Sequence, residues 1–375
     1  MTRVQKITLG VLSAITCGIW LILLPIASQM VQSWRQQPLG PTLGYPTELQ
    51  LPATWTASPA PSQPAATAML TPTLTFEMET PTSPFLACND LPTMTVLAIG
   101  TDVRAGEHRY GLTDVMRAVR VDFREQRVTA LEFPRDLWVK IPGIEPNLKT
   151  DHQKLNTAYA YGSPEDGPGL LARTLDLNFG LRADHYIVAN MNVFAEVVDA
   201  LGGLDITLPE GGIDGRTSTD RSARLVFPGG PQHLNGEQAL TLARLRKVSV
   251  FKRAEHQNMV MCALRKKIES PETILRLPAI INSFMKNIQT DLTPEQISQL
   301  ACLGTQMPRS NIMFTSFPLE LFKSAEVYDP VLEQDVFIWE ANFDMLRSYV
   351  SKFQAGTWPS SSPVGTPEPE TSRCQ

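Results

Sequence analysis

Three stretches decide the fold of this chain: Thr95–Ile99 (TVLAI), Val115–Val121 (VMRAVRV) and Val128–Phe133 (VTALEF). Each is short, apolar and rich in branched residues, which is the composition of buried strands. Consecutive strands of this kind favour an antiparallel meander, in which the first strand ends where the second begins and the third ends at the same edge. Polar residues that follow the first strand, begin the second or follow the third should therefore lie close together.

The residues around these strands alternate between helical and strand-like patterns. Helical periodicity and strand-like runs follow along the chain at 170–177, 193–201, 205–208, 224–227, 236–243, 253–268, 271–286 and 294–303. Mixed elements in this order indicate an α/β or α+β fold. The region spans roughly 260 residues, which is enough for one large domain with its own core.

The first thirty-five residues have the pattern of a membrane anchor. No charged residue occurs between Ile7 and Ser33, and Ile7–Ala27 is about the length that spans a hydrocarbon layer as a helix. Arg3 and Lys6 precede this run, so the positive-inside preference predicts a cytoplasmic N-terminus and an extracellular main domain. A cleaved secretory signal is the alternative, and it would export the rest of the chain as well.

Two segments flanking the domain are predicted to be disordered. Residues 36–88 contain ten prolines, three glutamates and no lysine or arginine, so they cannot bury enough apolar surface to offset the cost of ordering. We therefore predict a semi-extended linker at 36–88 and a disordered tail at 353–375. The folded domain is assigned to residues 89–352.

The cysteines of the exported part could form disulfides. Cys88, Cys262, Cys302 and Cys374 would lie in an oxidising environment. Cys262 with Cys302 is the preferred pair, because both lie in helix-like segments of the folded region. No CxxC spacing occurs, which argues against a structural zinc site.

Charged side chains cluster where the three predicted strands should meet. Asp102 and Arg104 follow the first strand, Asp114 opens the second, and Arg135 follows the third. Any one of them could be an ordinary turn residue, but four at one edge point to a site. Asp102 and Asp114 would suit Mg²⁺, which typically takes one or two carboxylates plus phosphate oxygens. Solvated turn carboxylates are the alternative interpretation.

A second group of arginines follows a predicted helix. Arg244 and Arg246 share a face only where the chain is extended, so a helix that begins after the N-cap Asn235 and ends just before them would direct both into one pocket. Guanidinium groups match phosphate oxygens, so these residues with Arg104 and Arg135 favour a pyrophosphate site. A solvated basic face is the alternative.

Lys154 and Asn156 lie in a polar turn before two tyrosines, where they could close this site or brace the loop. The chain as a whole carries a formal net charge of −5 and no recognisable DNA-reading motif. An exported acidic chain of this kind is a poor candidate for nucleic-acid binding.

Seven ordered motifs run from about Val96 to Lys267. They are Gly-Thr-Asp-x-Arg at 100–104, Thr-Asp at 113–114, Pro-Arg-Asp at 134–136, Lys-x-Asn-x-Ala-Tyr at 154–159, Asp-His-Tyr at 184–186, Val-Asp-Ala-Leu-Gly-Gly at 198–203, and Leu-Asn-Gly-Glu-Gln-Ala-Leu with Arg-x-Arg at 234–246. In this order and spacing they resemble the LytR-CpsA-Psr family of cell-envelope proteins.

The resemblance implies an α/β/α-like fold with a central mixed sheet and an apolar cavity for a polyprenyl chain. It implies a Mg²⁺-dependent phosphotransferase that moves a glycopolymer from an undecaprenyl-pyrophosphate carrier to peptidoglycan through a phosphodiester. By position, Asp102 and Asp114 would hold the metal. The implied catalytic residues are Arg104, Arg135, Arg244 and Arg246, and the implied substrate-binding residues are Arg253, Lys154, Asn156 and Gln257.

Three positions depart from the family pattern. Leu112 and His256 stand where arginines are usual, and Val250 stands where an acidic residue is usual. Loss of a carboxylate that orients an acceptor hydroxyl would remove part of the general-base machinery. Candidates to replace the missing groups are Arg109 for an arginine and Asp136 or Asp151 for the carboxylate.

Two other functions stay open beside the transferase, which is the leading hypothesis. A relative that has lost transfer could still bind polyprenyl-pyrophosphate glycans as a scaffold, and the departures at Leu112 and Val250 favour it. A pyrophosphatase could release the carrier without an acceptor, and free glycan phosphate would identify it.

Overall fold

A seven-stranded mixed sheet is the centre of the protein in the computed structural model. The structure describes residues 28–45, 88, 93–102, 111–163, 165–215, 225–245, 250–268, 270, 288–359 and 371–373. The described strands are β1 Thr93–Thr101, β2 Thr113–Asp122, β3 Arg127–Glu132, β4 Trp138–Lys140, β5 His152–Lys154, β6 His185–Asn190, β7 Leu204–Leu208, β8 Ile213–Gly215, β9 Leu225–Phe227, β10 Gly230–Leu234, β11 Ile288–Thr290, β12 Ile312–Ser316, β13 Phe322–Asp329, β14 Gln334–Ala341 and β15 Thr371–Arg373. The strand order in the main sheet is β11-β6-β1-β2-β3-β12-β15.

The predicted meander is confirmed. β1 pairs antiparallel with β2, and β2 pairs antiparallel with β3. β6 lies parallel to β1, and β12 lies parallel to β3, which makes the sheet mixed. Leu97, Ala118 and Leu131 occupy one register row on the same face and are fully buried.

Helices cover both faces of the sheet in the described part of the chain. They are α1 (residues 28–35), α2 Glu145–Leu148, α3 Ala158–Gly162, α4 Gly167–Phe179, α5 Met191–Ala200, α6 Gly236–Arg244, α7 Val250–Ile268, α8 Pro294–Gln306 and α9 Phe343–Gln354. The helix predicted at 271–286 lies outside the described residues.

The two faces of the sheet carry separate cores. On one face, the Leu97 row packs against α4 and α9 through Leu171, Leu175 and Leu346. On the other face, Met94 and Val96 pack against α8. Because alternate residues of a strand point to opposite faces, the near-continuous apolar run of β1 supplies both cores. This α/β layering agrees with the predicted fold class.

The predicted Cys262–Cys302 disulfide is wrong. Cys302 on α8 is bonded to Cys88, with sulfurs 2.06 Å apart, and Cys262 is itself half of a different disulfide. Cys262 lies on α7 and packs near Ala130 and Phe314, whereas Cys302 lies on α8, which packs against Met94 and Val96. Helical periodicity places a cysteine on an element but does not say which elements are neighbours.

The two predicted disordered segments contact the domain where the structure describes them. Leu39 bonds the Leu292 carbonyl between β11 and α8, Tyr45 bonds the Ala183 amide beside the main core, and residues 371–373 form β15 beside β12. An edge strand needs only backbone groups for pairing, so a Ser- and Thr-rich tail can supply one. No described helix is both long and apolar enough to cross a membrane, and the anchor predicted at 7–27 lies outside the described residues.

Candidate functional site

A cavity of about 630 Å³ opens at the edge where β1 ends and β2 begins. Five residues predicted from the sequence line it: Asp102, Asp114, Arg135, Lys154 and Asn156. They come from separate stretches of the chain, and the meander brings the first three of them together. The remaining predicted residues reach the site through neighbours or lie outside the described part.

A β-bulge directs Asp114 into the cavity. Gly100 opposes Val115 and Thr101 opposes Thr113, so Asp114 is the extra residue on β2. A bulge of this type disrupts the ladder locally and re-aims a side chain, and such bulges are common beside active sites. A Cβ on Gly100 would lie 3.0 Å from the Val115 Cβ, so the glycine permits the close approach of the two strands. Asp114 is only 6% exposed.

Arg135 follows β3 and joins two carboxylates. Its Nη1 donates to Asp114 Oδ1, and its Nε donates to Asp136 Oδ2 at 3.1 Å. Burial alone would lower the pKa of Arg135, but the carboxylates of Asp136 and Asp114 outweigh it and raise that pKa above its ordinary value. Arg135 therefore keeps its positive charge although it is largely buried.

Lys154 extends this arrangement into a row of alternating charges. Its Nζ lies 3.5 Å from Asp136 Oδ1, so the order along the cavity wall is Asp114, Arg135, Asp136, Lys154. Removal of one member would leave a partner charge poorly compensated in a low-dielectric environment. Each charge of the row is thus held by its neighbours within the protein.

Asn156 presents an unpaired acceptor beside this row. It lies in the turn Leu155–Thr157, where its backbone N–H donates to the Arg135 carbonyl at 3.0 Å and its carbonyl accepts from Thr113 Oγ1 at 3.1 Å. The side chain is 4% exposed, and among the described residues its Oδ1 has no partner. Buried polar atoms are nearly always paired, so this oxygen is suited to accept a hydrogen bond from a ligand.

Arg244 approaches from the end of α6. Asn235 caps this helix as predicted, in a capping box with Gln238. After Arg244 the chain becomes extended at Leu245, with φ −61° and ψ 133°, as the predicted helix end requires. Arg244 Nη2 donates to Asp102 Oδ1 at 3.0 Å. Arg104 and Arg246 lie outside the described residues.

Gln257 lies beneath the site and is not part of the cavity lining. It is buried on α7, accepts from Arg117 Nη2 at 3.2 Å, and its Nε2 lies 3.5 Å from the Ala243 carbonyl. Arg117 also pairs with Glu132 at 2.8 Å. Gln257 therefore joins α7 to β2 and to the end of α6, next to Arg244. Arg253 is on α7 as well, and its side chain lies outside the description.

One wall of the cavity comes from the β13–β14 hairpin, which no motif in the sequence predicted. Asp329, Val331 and Leu332 line the cavity, and Asp329 Oδ1 accepts from Gln153 Nε2 at 2.9 Å and from the Val331 amide at 2.8 Å. The only signal in the sequence is the Asp-Pro turn at 329–330, which marks a turn but not its location.

The two candidate replacement carboxylates differ in position. Asp136 lines the cavity, whereas Asp151 lies on the far side of the β4–β5 hairpin and does not. Asp151 bonds Lys140 at 3.0 Å and His152 at 2.6 Å, and these hydrogen bonds lower its pKa to about 2. Only Asp136 is therefore placed to meet a substrate.

The carboxylates at the cavity fit a metal ion whose remaining ligands would come from the substrate. No group of three or more His, Cys, Asp or Glu side chains among the described residues could hold an ion by itself. The charged groups of the described residues at the site are four carboxylates and three cations, which leave one net negative charge. The carboxylates are Asp102, Asp114, Asp136 and Asp329, and the cations are Arg135, Lys154 and Arg244. Asp102 with Asp114 provides the one or two carboxylates that Mg²⁺ takes beside phosphate oxygens.

Curated relatives match the same region of the chain. The polyisoprenyl-teichoic acid–peptidoglycan teichoic acid transferase TagV of Bacillus subtilis is 28% identical over 200 residues, which cover 52% of this chain and 49% of TagV. The regulatory protein MsrR of Staphylococcus aureus is 29% identical over 210 residues, covering 55% of this chain and 58% of MsrR. The chain thus spans about half the length of the curated relatives it matches.

Solved structures share the fold. The crystal structure of protein gbs0355 from Streptococcus agalactiae superposes with a TM-score of 0.58 at 23% identity and covers 73% of this chain and 91% of gbs0355. The family model LytR_cpsA_psr matches residues 70–340, which include every described strand from β1 to β13 and each wall of the cavity. The chain therefore belongs to the LytR_cpsA_psr family.

Proposed function

We propose that this protein transfers a glycopolymer from a polyprenyl-pyrophosphate carrier, of the undecaprenyl type, to peptidoglycan. The observation that carries the proposal is the preformed row of Asp114, Arg135, Asp136 and Lys154 beside the unpaired Asn156 Oδ1. Cationic groups for phosphate oxygens and an acceptor for a hydroxyl are the parts that phosphoryl transfer to an alcohol needs. The name of TagV supports the choice of carrier and acceptor.

In the proposed reaction, an acceptor hydroxyl oxygen attacks the phosphorus next to the glycan. The new P–O bond joins glycan phosphate to peptidoglycan, and the bond to the bridging oxygen breaks, so polyprenyl monophosphate leaves. Asp136 is the carboxylate placed to take the proton of the attacking hydroxyl, and Asn156 Oδ1 accepts a hydrogen bond from a neighbouring hydroxyl of the same acceptor sugar. Arg135 and Arg244 stabilise charge on the transferred and leaving phosphates, with Arg104, Arg246 and Arg253 as further clamp residues.

We also propose that Asp102 and Asp114 hold Mg²⁺ when the donor is bound. Bound there, the ion would neutralise charge on the pyrophosphate and so favour departure of the carrier phosphate. The carboxylates of Asp102 and Asp114 at the cavity support this assignment, because carboxylate oxygens are ligands that Mg²⁺ takes beside phosphate oxygens.

An extracellular location, behind a single N-terminal membrane span, completes the proposal. The Cys88–Cys302 disulfide supports it, since disulfides form and persist in oxidising compartments. The uncharged run Ile7–Ala27 supports the anchor. In this arrangement the domain meets a carrier lipid and peptidoglycan on the same side of the membrane.

The experiment incubates the full-length protein in detergent with a polyprenyl-pyrophosphate oligosaccharide, Mg²⁺ and a peptidoglycan fragment, and follows products by mass spectrometry. We expect a phosphodiester-linked conjugate, and a loss of about 100-fold or more in Arg135→Lys, because the fork that reaches two carboxylates and the phosphate is gone. Arg182→Lys is the matched control, since Arg182 pairs with Asp176 away from the cavity. Equal rates in both variants would overturn the clamp assignment.

A scaffold that binds the same lipid without transfer is the second candidate. Leu112 favours it, because this exposed apolar side chain lines the cavity mouth at a position where the family usually has an arginine. Bound donor without conjugate in the same assay would select this function, and free glycan phosphate would select a pyrophosphatase.

A further inference from the structure

Residues 35–45 form a strap that fastens the N-terminal helix α1 to the domain. At its start, Arg35 Nη2 pairs with Glu295 Oε2 at 2.5 Å, and the Leu39 amide donates to the Leu292 carbonyl at 3.3 Å. Leu292 and Glu295 lie at the junction between β11 and α8, so the strap begins on the edge of the central sheet. The chain after α1 therefore turns directly onto the folded domain.

The middle of the strap approaches the domain more closely than a side chain would allow. A Cβ on Gly40 would lie 2.7 Å from the Thr290 carbonyl oxygen and 3.2 Å from Tyr186 Oη. Backbone atoms cannot yield as a flexible side chain can, so this contact requires glycine. Gly44, only four residues further on, has room, since its Cβ would come no nearer than 4.0 Å to Arg173.

The end of the strap enters the main core. Leu43 and Tyr45 pack against the apolar cluster of α4 and the sheet, and Tyr45 Oη accepts a hydrogen bond from the Ala183 amide at 2.8 Å. Burial raises the pKa of Tyr45 to about 12. The strap is thus held at its start, middle and end by an ion pair, backbone packing and a partly buried tyrosine.

The helix that leads into the strap has an apolar face that the domain does not cover. Met30, Val31 and Trp34 are 68%, 56% and 60% exposed, and helical geometry places them within one third of the helix circumference. Arg35 lies next to this face and turns to the domain. The preceding segment Ile7–Ala27 is uncharged, and residues 28–34 carry no charge either.

We propose that the Met30, Val31 and Trp34 face lies in the interfacial layer of a lipid bilayer, and that the strap holds the domain directly against the membrane surface. Tryptophan and neighbouring apolar residues prefer this layer. From residue 27 to Arg35 a helix rises only about 12 Å, so Glu295 is kept within that distance of the membrane edge. The inference rests on the proposed membrane anchoring. It differs from the predicted linker at 36–88 in that the first residues of this segment would hold the domain at the membrane surface.

The test measures energy transfer in lipid nanodiscs, from a donor dye on a C-terminal tag of the full-length protein to an acceptor dye on the lipid headgroups. We expect at least a two-fold lower transfer efficiency in Gly40→Leu, because the larger side chain displaces the strap. Gly44→Ala is the matched control and should equal the wild type. Hydrogen exchange at the Leu39 amide should accelerate in Gly40→Leu alone, while amides of β1 stay protected.

Equal energy transfer and equal Leu39 exchange in Gly40→Leu and wild type would overturn the docking and leave the proposed transfer reaction intact. A wild-type chain that fails to assemble into nanodiscs would instead refute the membrane anchoring, on which the docking and the proposed location depend. If Gly40→Leu does not fold, Tyr45→Ala gives the same decision, because it removes both the hydrogen bond to Ala183 and the ring that packs against the core. Unchanged transfer and exchange there would also count against the strap.

Discussion

At the scale of single residues, the cavity is organised by charges that hold one another. Asp114 and Asp136 both bind Arg135, and Asp102 binds Arg244. Such a preformed row needs little reorganisation when a phosphate arrives, and this is the main source of electrostatic catalysis. Because these charges hold one another, substitutions in the row alter stability as well as chemistry. Each such substitution is therefore compared with one of the same type outside the cavity.

Asp136→Asn should lower transfer by about 100-fold, within the range that a general base contributes. Asp151→Asn should leave transfer unchanged, because Asp151 lies outside the cavity and its carboxylate bonds Lys140 and His152 instead. Initial rates of conjugate formation with saturating donor measure both. A larger effect in Asp151→Asn than in Asp136→Asn would refute the assignment of the base.

Asn156→Leu should separate binding from stability. The variant removes a buried acceptor that has no partner in the described residues, so the free energy of unfolding should change by less than about 1 kcal/mol or rise. Binding of the peptidoglycan fragment should weaken about 10-fold, because its hydroxyl loses that acceptor. Calorimetric titration and thermal unfolding of the same sample check the pair of outcomes, and unchanged affinity would contradict the role.

The predicted sheet geometry explains part of this cluster, and the motifs at Lys154, Asn156 and Arg244 supply further members. Asp102, Asp114 and Arg135 could be placed together because a meander joins its strand ends at one edge. Asp329 and Gln153 could not, since their contact spans 176 residues and depends on how a late hairpin packs. The direction of the Asp114 side chain depends on a bulge, which apolar alternation does not reveal.

At the scale of elements, α6 positions an arginine through its two ends. The Asn235 capping box fixes the start of the helix, and the extended Leu245 ends it directly after Arg244. This behaviour was predictable, because capping residues act locally. The pairing of cysteines was not, since it depends on which helices become neighbours in the folded chain.

Asn235→Ala should destabilise the protein by about 1 kcal/mol and also weaken donor binding, because the cap sets the position of Arg244. Thr293→Ala provides the matched control, since Thr293 caps α8 with the same type of capping box far from the cavity. We expect a similar loss of unfolding free energy there, with donor affinity unchanged. Equal affinity in both variants would show that α6 does not position the arginine.

At the scale of the whole molecule, covalent and non-covalent ties join the chain before β1 to α8. Cys88 is bonded to Cys302 on this helix, and Arg35 pairs with Glu295 at its start. The prediction of a linker at 36–88 rests on the numbers of prolines and apolar residues in that segment. A few well-placed contacts, such as those of Gly40 and Tyr45, are invisible to such a count.

Replacing both Cys88 and Cys302 by serine should lower the free energy of unfolding by about 2–4 kcal/mol, because the closed loop restrains the unfolded chain. Chemical denaturation under non-reducing conditions measures this, since a reductant would also open the disulfide of Cys262. The midpoint should fall without a change in the transfer rate of the folded protein. An unchanged midpoint would show that the bond adds nothing to stability.

The proposed reaction moves one phosphate from the lipid carrier to peptidoglycan. A donor labelled with radioactive phosphorus at the phosphate next to the glycan makes this claim measurable. The full-length protein is incubated with this donor, Mg²⁺ and peptidoglycan, and the label is then followed in the separated products. Transfer by the Asp114, Arg135, Asp136 and Lys154 row predicts label in the peptidoglycan conjugate and unlabelled polyprenyl monophosphate. Label that stays in the lipid, or appears only in free glycan phosphate, would contradict the claim.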